Sequence, residues 1–491
     1  MKMRFKLTLI IIVSAFIYQG CTKSDGRTGW SFQTGGPIYS HPILGNETLY
    51  FGSSDYTFYA LDANNGDSIW SIATTGPVQS GAIIHTDGIY FNNTNRVYAL
   101  DKNSGEELWS YSFAPDSIIE ALDPWDYHHG APVVVNATIY FGLADGNLYG
   151  FDRHSGKIVD QFTTDDSAVI RCIPAVAENT IYFGDWNGVV YAYDTKDQDT
   201  LWTYATYAIR EYDTFGQLNA GFIVYDSLLV FGGRNPRLQV LNAHTGKPVW
   251  NYVSEDGGWI SGDPIVYQDT LYIGGSDNHK LFAFDIHTGS LIWEYEFLFN
   301  NFCKPVLVGD QLLFTTGDAG TAYRTDDGYG YLYSIDRFQG ELRNVAFFDG
   351  NVFSTPVLDE RSIYVADVTG KIYALDRQRF LSHPGDLSKN GYGSIDLAEP
   401  PFKSFQDSLE ISYRVNYQSK IEFGLFSLEG QMVKQISNIV ASSGDHTLTW
   451  DGRNENGDPA APGYYYYELK VNEFIQSAYA QKLSGENNQD L

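Results

Sequence analysis

His129, Arg171, Asn219, Asp263 and Lys304 supply a base, two cations, an amide and an acid, each roughly 40 to 50 residues after the last. Brought to one place, they would form a pocket for a small anionic or sugar ligand, because a guanidinium offers a planar fork of donors. The competing reading is a set of ion pairs and water contacts that fills a narrow channel. A second group, Asp123, Trp125, Asp126, Tyr127 and His128, lies in the insertion Glu120–His129 and has the residue types of a sugar or protein contact loop. No metal site is read there, since His128 and His129 are adjacent and neighbours on a strand face opposite ways. The stretch Gly317–Gly330 has the acids and glycines of a calcium loop without its spacing, and reads as a solvated turn.

The elements that must position these residues recur. Tyr50-Phe51-Gly52 is followed by Tyr59-Ala60-Leu61-Asp62, and Tyr90-Phe91-Asn92 by Tyr98-Ala99-Leu100-Asp101; the pattern runs on to Tyr364-Val365-Ala366 and Tyr373-Ala374-Leu375-Asp376, eight copies in all. Short strands at this period predict an all-β, eight-bladed β-propeller. Ten residues before the small residue that ends each strand stand Pro42, Ala82, Pro132, Pro174, Phe222, Pro264, Pro305 and Pro356, a place suited to the start of an axial strand. His129, Arg171 and Asn219 lie three positions before this column, and Asp263 and Lys304 one position before it. Alternation would point all five into an axial funnel. Cys172 and Cys303 share the second position before the column with small residues such as Ser40, Ser80 and Ser354, so they read as packing and not as a disulfide, metal or redox pair.

Most copies close with Asp, then Gly, then Trp: Asp62, Gly66 and Trp70; Asp101, Gly105 and Trp109; Asp285, Gly289 and Trp293. Copies three and seven carry Val159 and Leu342 near the Trp place. The eighth copy lacks this last strand, and Trp30-Ser31-Phe32 precedes the first copy, so the N-terminal strand is expected to complete blade eight and remove its open edge.

This Tyr-Ala-Leu-Asp, Gly, Trp pattern resembles the pyrroloquinoline-quinone (PQQ) repeat family over residues 30–378. The family includes quinoprotein dehydrogenases and non-catalytic propellers such as the outer-membrane assembly lipoprotein of Gram-negative bacteria. A quinoprotein reading would imply PQQ with Ca²⁺, an oxygen-ligand set and a disulfide of adjacent cysteines. The chain has no adjacent cysteines, and no calcium ligands follow from its motifs. No cofactor is therefore expected, with a PQQ or other small-ligand propeller, a quinoprotein-type oxidoreductase included, as the alternative.

Lys2, Arg4 and Lys6 precede an apolar run from Leu7 to Tyr18, which reads as a signal peptide over 1–20. Gly20-Cys21 resembles a bacterial lipoprotein cleavage site, with Cys21 the lipidated residue and 21–29 a tether; Tyr18 stands where Leu is usual. The competing reading is a secreted protein cut elsewhere.

Residues 379–401 carry His383-Pro384-Gly385 and Pro400-Pro401 and read as a linker. Over 402–485, alternating strands and turns such as Asn456-Gly457-Asp458 predict a small β-sandwich, and 486–491 a polar tail. The run His446, Trp450-Asp451-Gly452-Arg453, Asn456-Gly457 and Pro462-Gly463-Tyr464-Tyr465-Tyr466-Tyr467 is similar to the immunoglobulin-like domain of flagellar hook-capping proteins and to type IX secretion sorting domains. The resemblance implies attachment or sorting.

With 32 Lys and Arg against 60 Asp and Glu, the chain lacks the basic surface a phosphate backbone needs, which excludes nucleic acid. The expectation is an exported, non-enzymatic scaffold, held to a membrane only by its lipid anchor, whose partner is an envelope or outer-membrane protein.

Overall fold

The structure, a computed structural model, describes residues 28–86, 88–114, 130–206, 217–297, 299–317, 330–348, 350–381, 396–397, 402–415, 419–427, 431–441, 444–471 and 474–483. Eight four-stranded antiparallel sheets form the blades of a propeller. Blade one runs outward through Ile43–Gly45, Thr48–Ser53, Thr57–Asp62 and Ser68–Ala73. Blade four repeats it with Ala175–Ala177, Thr180–Gly184, Val189–Asp194 and Asp199–Ala205. In blade eight, Val357–Leu358, Ser362–Ala366 and Lys371–Asp376 are completed by Thr28–Gln33, which pairs antiparallel with Lys371–Asp376. The N-terminal strand thus closes the ring, and the column prolines immediately precede the innermost strands.

Neighbouring blades are fastened by the Trp and Gly of the repeat. Gly66, Gly105, Gly156, Gly246 and Gly289 all have positive φ, and a Cβ on any of them would collide with the indole of the preceding blade: Trp30, Trp70, Trp109, Trp202 and Trp250 respectively. Each indole Nε1 donates to a carbonyl of the blade it overlies, from Trp250 to Ile286 at 2.7 Å through Trp70 to Lys102 at 3.1 Å. Buried indole N–H groups need such partners, so ring packing and hydrogen bonding choose the same register.

In blade three the residue opposite Gly150 is Asp160, as Trp70 is opposite Ala60 in blade one. Asp160, not Val159, therefore takes the Trp place; it is buried and accepts from Tyr140 at 2.9 Å and Tyr193 at 2.6 Å. By the same spacing from Asp336 and Gly340, Asn344 rather than Leu342 holds the place in blade seven. Its Nδ2 donates to the Phe380 carbonyl. Leu342 is exposed.

The small-residue column also bonds. Ser40 Oγ donates to Gly52 O and accepts from Gly52 N, and Cys172 Sγ does the same with Gly184 at 3.3 and 3.2 Å. Both Cys172 and Cys303 are free thiols in the interior.

The chain divides into two compact units: Met1–Val306 with Phe314–Tyr331 and Phe348–Leu375, and Leu307–Leu313 with Leu332–Phe347 and Asp376–Leu491. In the second, a short helix, Arg377–Leu381, occupies the start of the expected linker, and Asp396–Leu397 joins a three-stranded sheet with Leu409–Val415 and Gly444–Trp450. A five-stranded sheet completes an immunoglobulin-like sandwich around Leu409, Ile421, Phe423, Trp450 and Leu469. The Trp-Asp-Gly-Arg run is a structural knot: Trp450 Nε1 donates to Arg453 O, Arg453 Nη1 to Gly457 O, and Arg453 N to Asp451 Oδ1. Among the described residues no helix is long and apolar enough to cross a membrane.

Candidate functional site

Because the strands of a blade alternate in direction, the segment leading into its first strand and the turn between its second and third lie at the same end. At this end the axial residues form two tiers. The residues one position before the proline column make a seam between blades: Thr355 N donates to His41 Nδ1 at 2.9 Å, Lys304 N to Thr355 Oγ1 at 3.1 Å, and Gly221 N to Asp263 Oδ1. Burial pulls His41 down to about 4 and pushes Asp263 up to about 6, the Gly221 N–H and then the Lys304 charge opposing the latter shift.

The tier three positions before the column is lopsided. Tyr39, Phe302 and Phe353, from blades one, seven and eight, pack with Val368 in one apolar cluster, Phe302 and Phe353 meeting edge to face at 5.6 Å. Blades four, five and six present Arg171, Asn219 and Ser261, which are 8, 3 and 1 % exposed. The five sequence candidates therefore do not form one constellation: Asp263 and Lys304 belong to the seam, and Arg171 and Asn219 to the polar arc. His129 lies outside the described residues, as do Cys21, Asp123, Trp125, Asp126, Tyr127 and His128.

The polar arc contains residues that the sequence reading did not single out. Arg171 lies over the Trp186 ring at 4.7 Å, and Arg234 over Trp186 at 5.5 Å and over Trp259 at 4.8 Å. Trp186 and Arg234 come from the second turns of blades four and five, and Trp259 from the segment leading into blade six. The legible signal is a Trp and an Arg two residues after the strand-ending Gly184 and Gly232, a place that holds Ser54, Thr94, Ala144, Ser276 and Val368 in other blades.

Backbone bonds weave these pieces together. Trp186 N donates to Val169 O, Leu218 N to Asp185 O, Arg234 N to Gln217 O, Gly233 N to Ile260 O, and Ser276 N to Trp259 O, all at 2.8 to 3.3 Å. Burial raises the Asp277 carboxyl, with His279 and Arg234 among the charges opposing it. Such a cluster can hold an anion through its guanidiniums and a ring through its indoles.

Eight four-stranded blades, five of their junctions locked by Trp and Gly, and an immunoglobulin-like sandwich define a repeat propeller of the quinoprotein-like class. Residues 19–204 and 210–328 match the family model described as outer membrane protein assembly factor BamB, and the chain belongs to that family. Residues 411–473 match the FlgD Ig-like domain.

Among solved structures, BamB from Moraxella catarrhalis is 17 % identical, with a TM-score of 0.53, covering 70 % of this chain and 98 % of its own. A europium-containing methanol dehydrogenase is 14 % identical with a TM-score of 0.58, covering 71 and 93 %. The quinohemoprotein alcohol dehydrogenase from Comamonas testosteroni is also 14 % identical, with a TM-score of 0.54, covering 71 and 76 %. At these identities the likeness is one of fold. A comparison with curated proteins finds no match.

Cys172 and Cys303 are buried apart and hold strands together. Tyr39, Phe302 and Phe353 pack one side of the axial end, and no group of three His, Cys, Asp or Glu suited to a metal occurs among the described residues.

Proposed function

We propose that this protein is a non-enzymatic binding scaffold of the bacterial cell envelope, anchored through lipidated Cys21 and using its propeller to dock another envelope or outer-membrane protein. The observation that carries this reading is membership of a family whose model is that of an assembly factor. The axial chemistry agrees with it: the thiols are buried and bridge strands, and Asp263 and the Lys304 backbone N–H bond one blade to the next. The C-terminal sandwich serves attachment or sorting, consistent with its likeness to the FlgD domain.

Cross-linking in intact envelopes followed by purification of the full chain tests the proposal. A defined envelope protein should be retained by the wild type and equally by an Arg171→Ala/Lys304→Ala variant. Loss of that partner in the axial variant, or recovery of the chain without any envelope protein, would overturn it. Globomycin treatment or Cys21→Ala should release the chain from membranes; unchanged membrane retention would remove the lipid anchor from the reading.

A further inference from the structure

The polar arc of blades four to six has a chemistry that docking by the propeller does not use. We propose that it is a binding site for a small hydroxylated carboxylate of the sugar-acid class. Arg171 and Arg234 would take the carboxylate, and Asn219, Ser261 and Gln217 the hydroxyls.

Three observations carry this. The first is charge placement: the chain has a net charge of −28, yet two guanidiniums 8 and 5 % exposed are gathered across indole faces at one axial end. A carboxylate matches the guanidinium fork in charge and plane.

The second is the set of enclosed acceptors that blades five and six carry at the same axial end. Asn219 Oδ1, Ser261 Oγ and Gln217 Oε1 are enclosed and have no hydrogen-bond partner among the described residues. An enclosed polar atom without a partner forfeits the hydrogen bond it would make with water. A ligand hydroxyl both donates and accepts, so it completes an amide in either orientation as well as a serine.

The third is position. The carbonyl of Gln217 accepts from Arg234 N, and the segment Trp259-Ile260-Ser261 is bonded to the turn that carries Arg234. The acceptors and the guanidiniums are therefore held by one backbone weave. Trp186 and Trp259, both half-buried, offer faces for the C–H side of a sugar ring. The inference is independent of the scaffold reading and stands whether or not an envelope protein docks.

Calorimetric titration of the full chain with D-glucuronate, D-glucose, acetate and inorganic phosphate tests it. Glucuronate should bind saturably, with the other three about tenfold weaker or more. Arg234→Gln and Ser261→Ala should each weaken glucuronate about tenfold or more. Asn219→Leu should abolish binding while leaving the melting temperature unchanged or higher, because an unpaired amide has been removed. Equal binding of glucose, acetate or phosphate overturns the proposal, and so does the absence of saturable heat with glucuronate. A fall of several degrees on Asn219→Leu also overturns it, since that amide would then be paired within the protein.

Discussion

The indole of Trp30 lies over Gly66, which has a φ of +78° and whose Cβ, if it had one, would stand 2.5 Å from the ring, and its Nε1 donates to Ala63 O at 3.0 Å. One residue of the N-terminal strand thus joins blade eight to blade one. Trp30→Ala should cost about 3 to 5 kcal/mol, the usual range for a truncated buried indole. Denaturant unfolding measures it, and a loss below about 1 kcal/mol would show that the ring does not depend on this closure.

Asp160 replaces a docking Trp and receives two tyrosine hydroxyls. Asp160→Ala removes the carboxylate that accepts from both hydroxyls, a loss of about 2 to 4 kcal/mol. Adding Tyr140→Phe and Tyr193→Phe should recover part of it. A double-mutant cycle checks this: additive losses would mean that the three groups are not one network.

Two seam residues push stability in opposite directions with pH. Asp263 is raised by burial to about 6 in the fold, so its contribution is full below the unfolded value and is lost as pH rises through 6. His41 is lowered by burial to about 4, so acidification through its unfolded range protonates the unfolded chain first and destabilises the fold. Between pH 4 and 6 the two effects offset each other. Asp263→Asn should gain about 2 kcal/mol over the wild type at pH 7 and lose that advantage near pH 4. A variant no more stable at pH 7, measured by urea unfolding, would contradict the buried acid.

Burial pushes the Cys172 thiol up to about 12, and its sulfur bridges both polar groups of Gly184. Iodoacetamide should therefore leave Cys172 unmodified in the native protein and alkylate it in denaturant, as peptide mass mapping would show. Cys172→Ser should change stability by less than about 1 kcal/mol, because Ser40 and Ser354 make the same bridge, whereas Cys172→Val should cost about 1 to 3 kcal/mol. Native labelling, or equal effects of Ser and Val, would refute the bridging role.

The sequence by itself determined the blade count, the ring closure by Trp30 and the strand-start prolines, because these depend on a repeat whose every copy makes the same local contacts. It also marked Cys172 and Cys303 as structural, from the small residues that share their column. Tertiary structure decided which axial residues meet. Asp263 and Lys304 were legible as axial residues but not as a seam, since neighbours in that tier bond across blades through backbone N–H groups. Trp186 and Arg234 share one place in the repeat, two residues after Gly184 and Gly232, but Arg171 and Trp259 stand three and five residues before their column positions, so no single spacing joins the four. Only the stacking of adjacent blades places one side chain over the next, and the physical reason is that blade packing is fixed by the Trp and Gly contacts far from the axis.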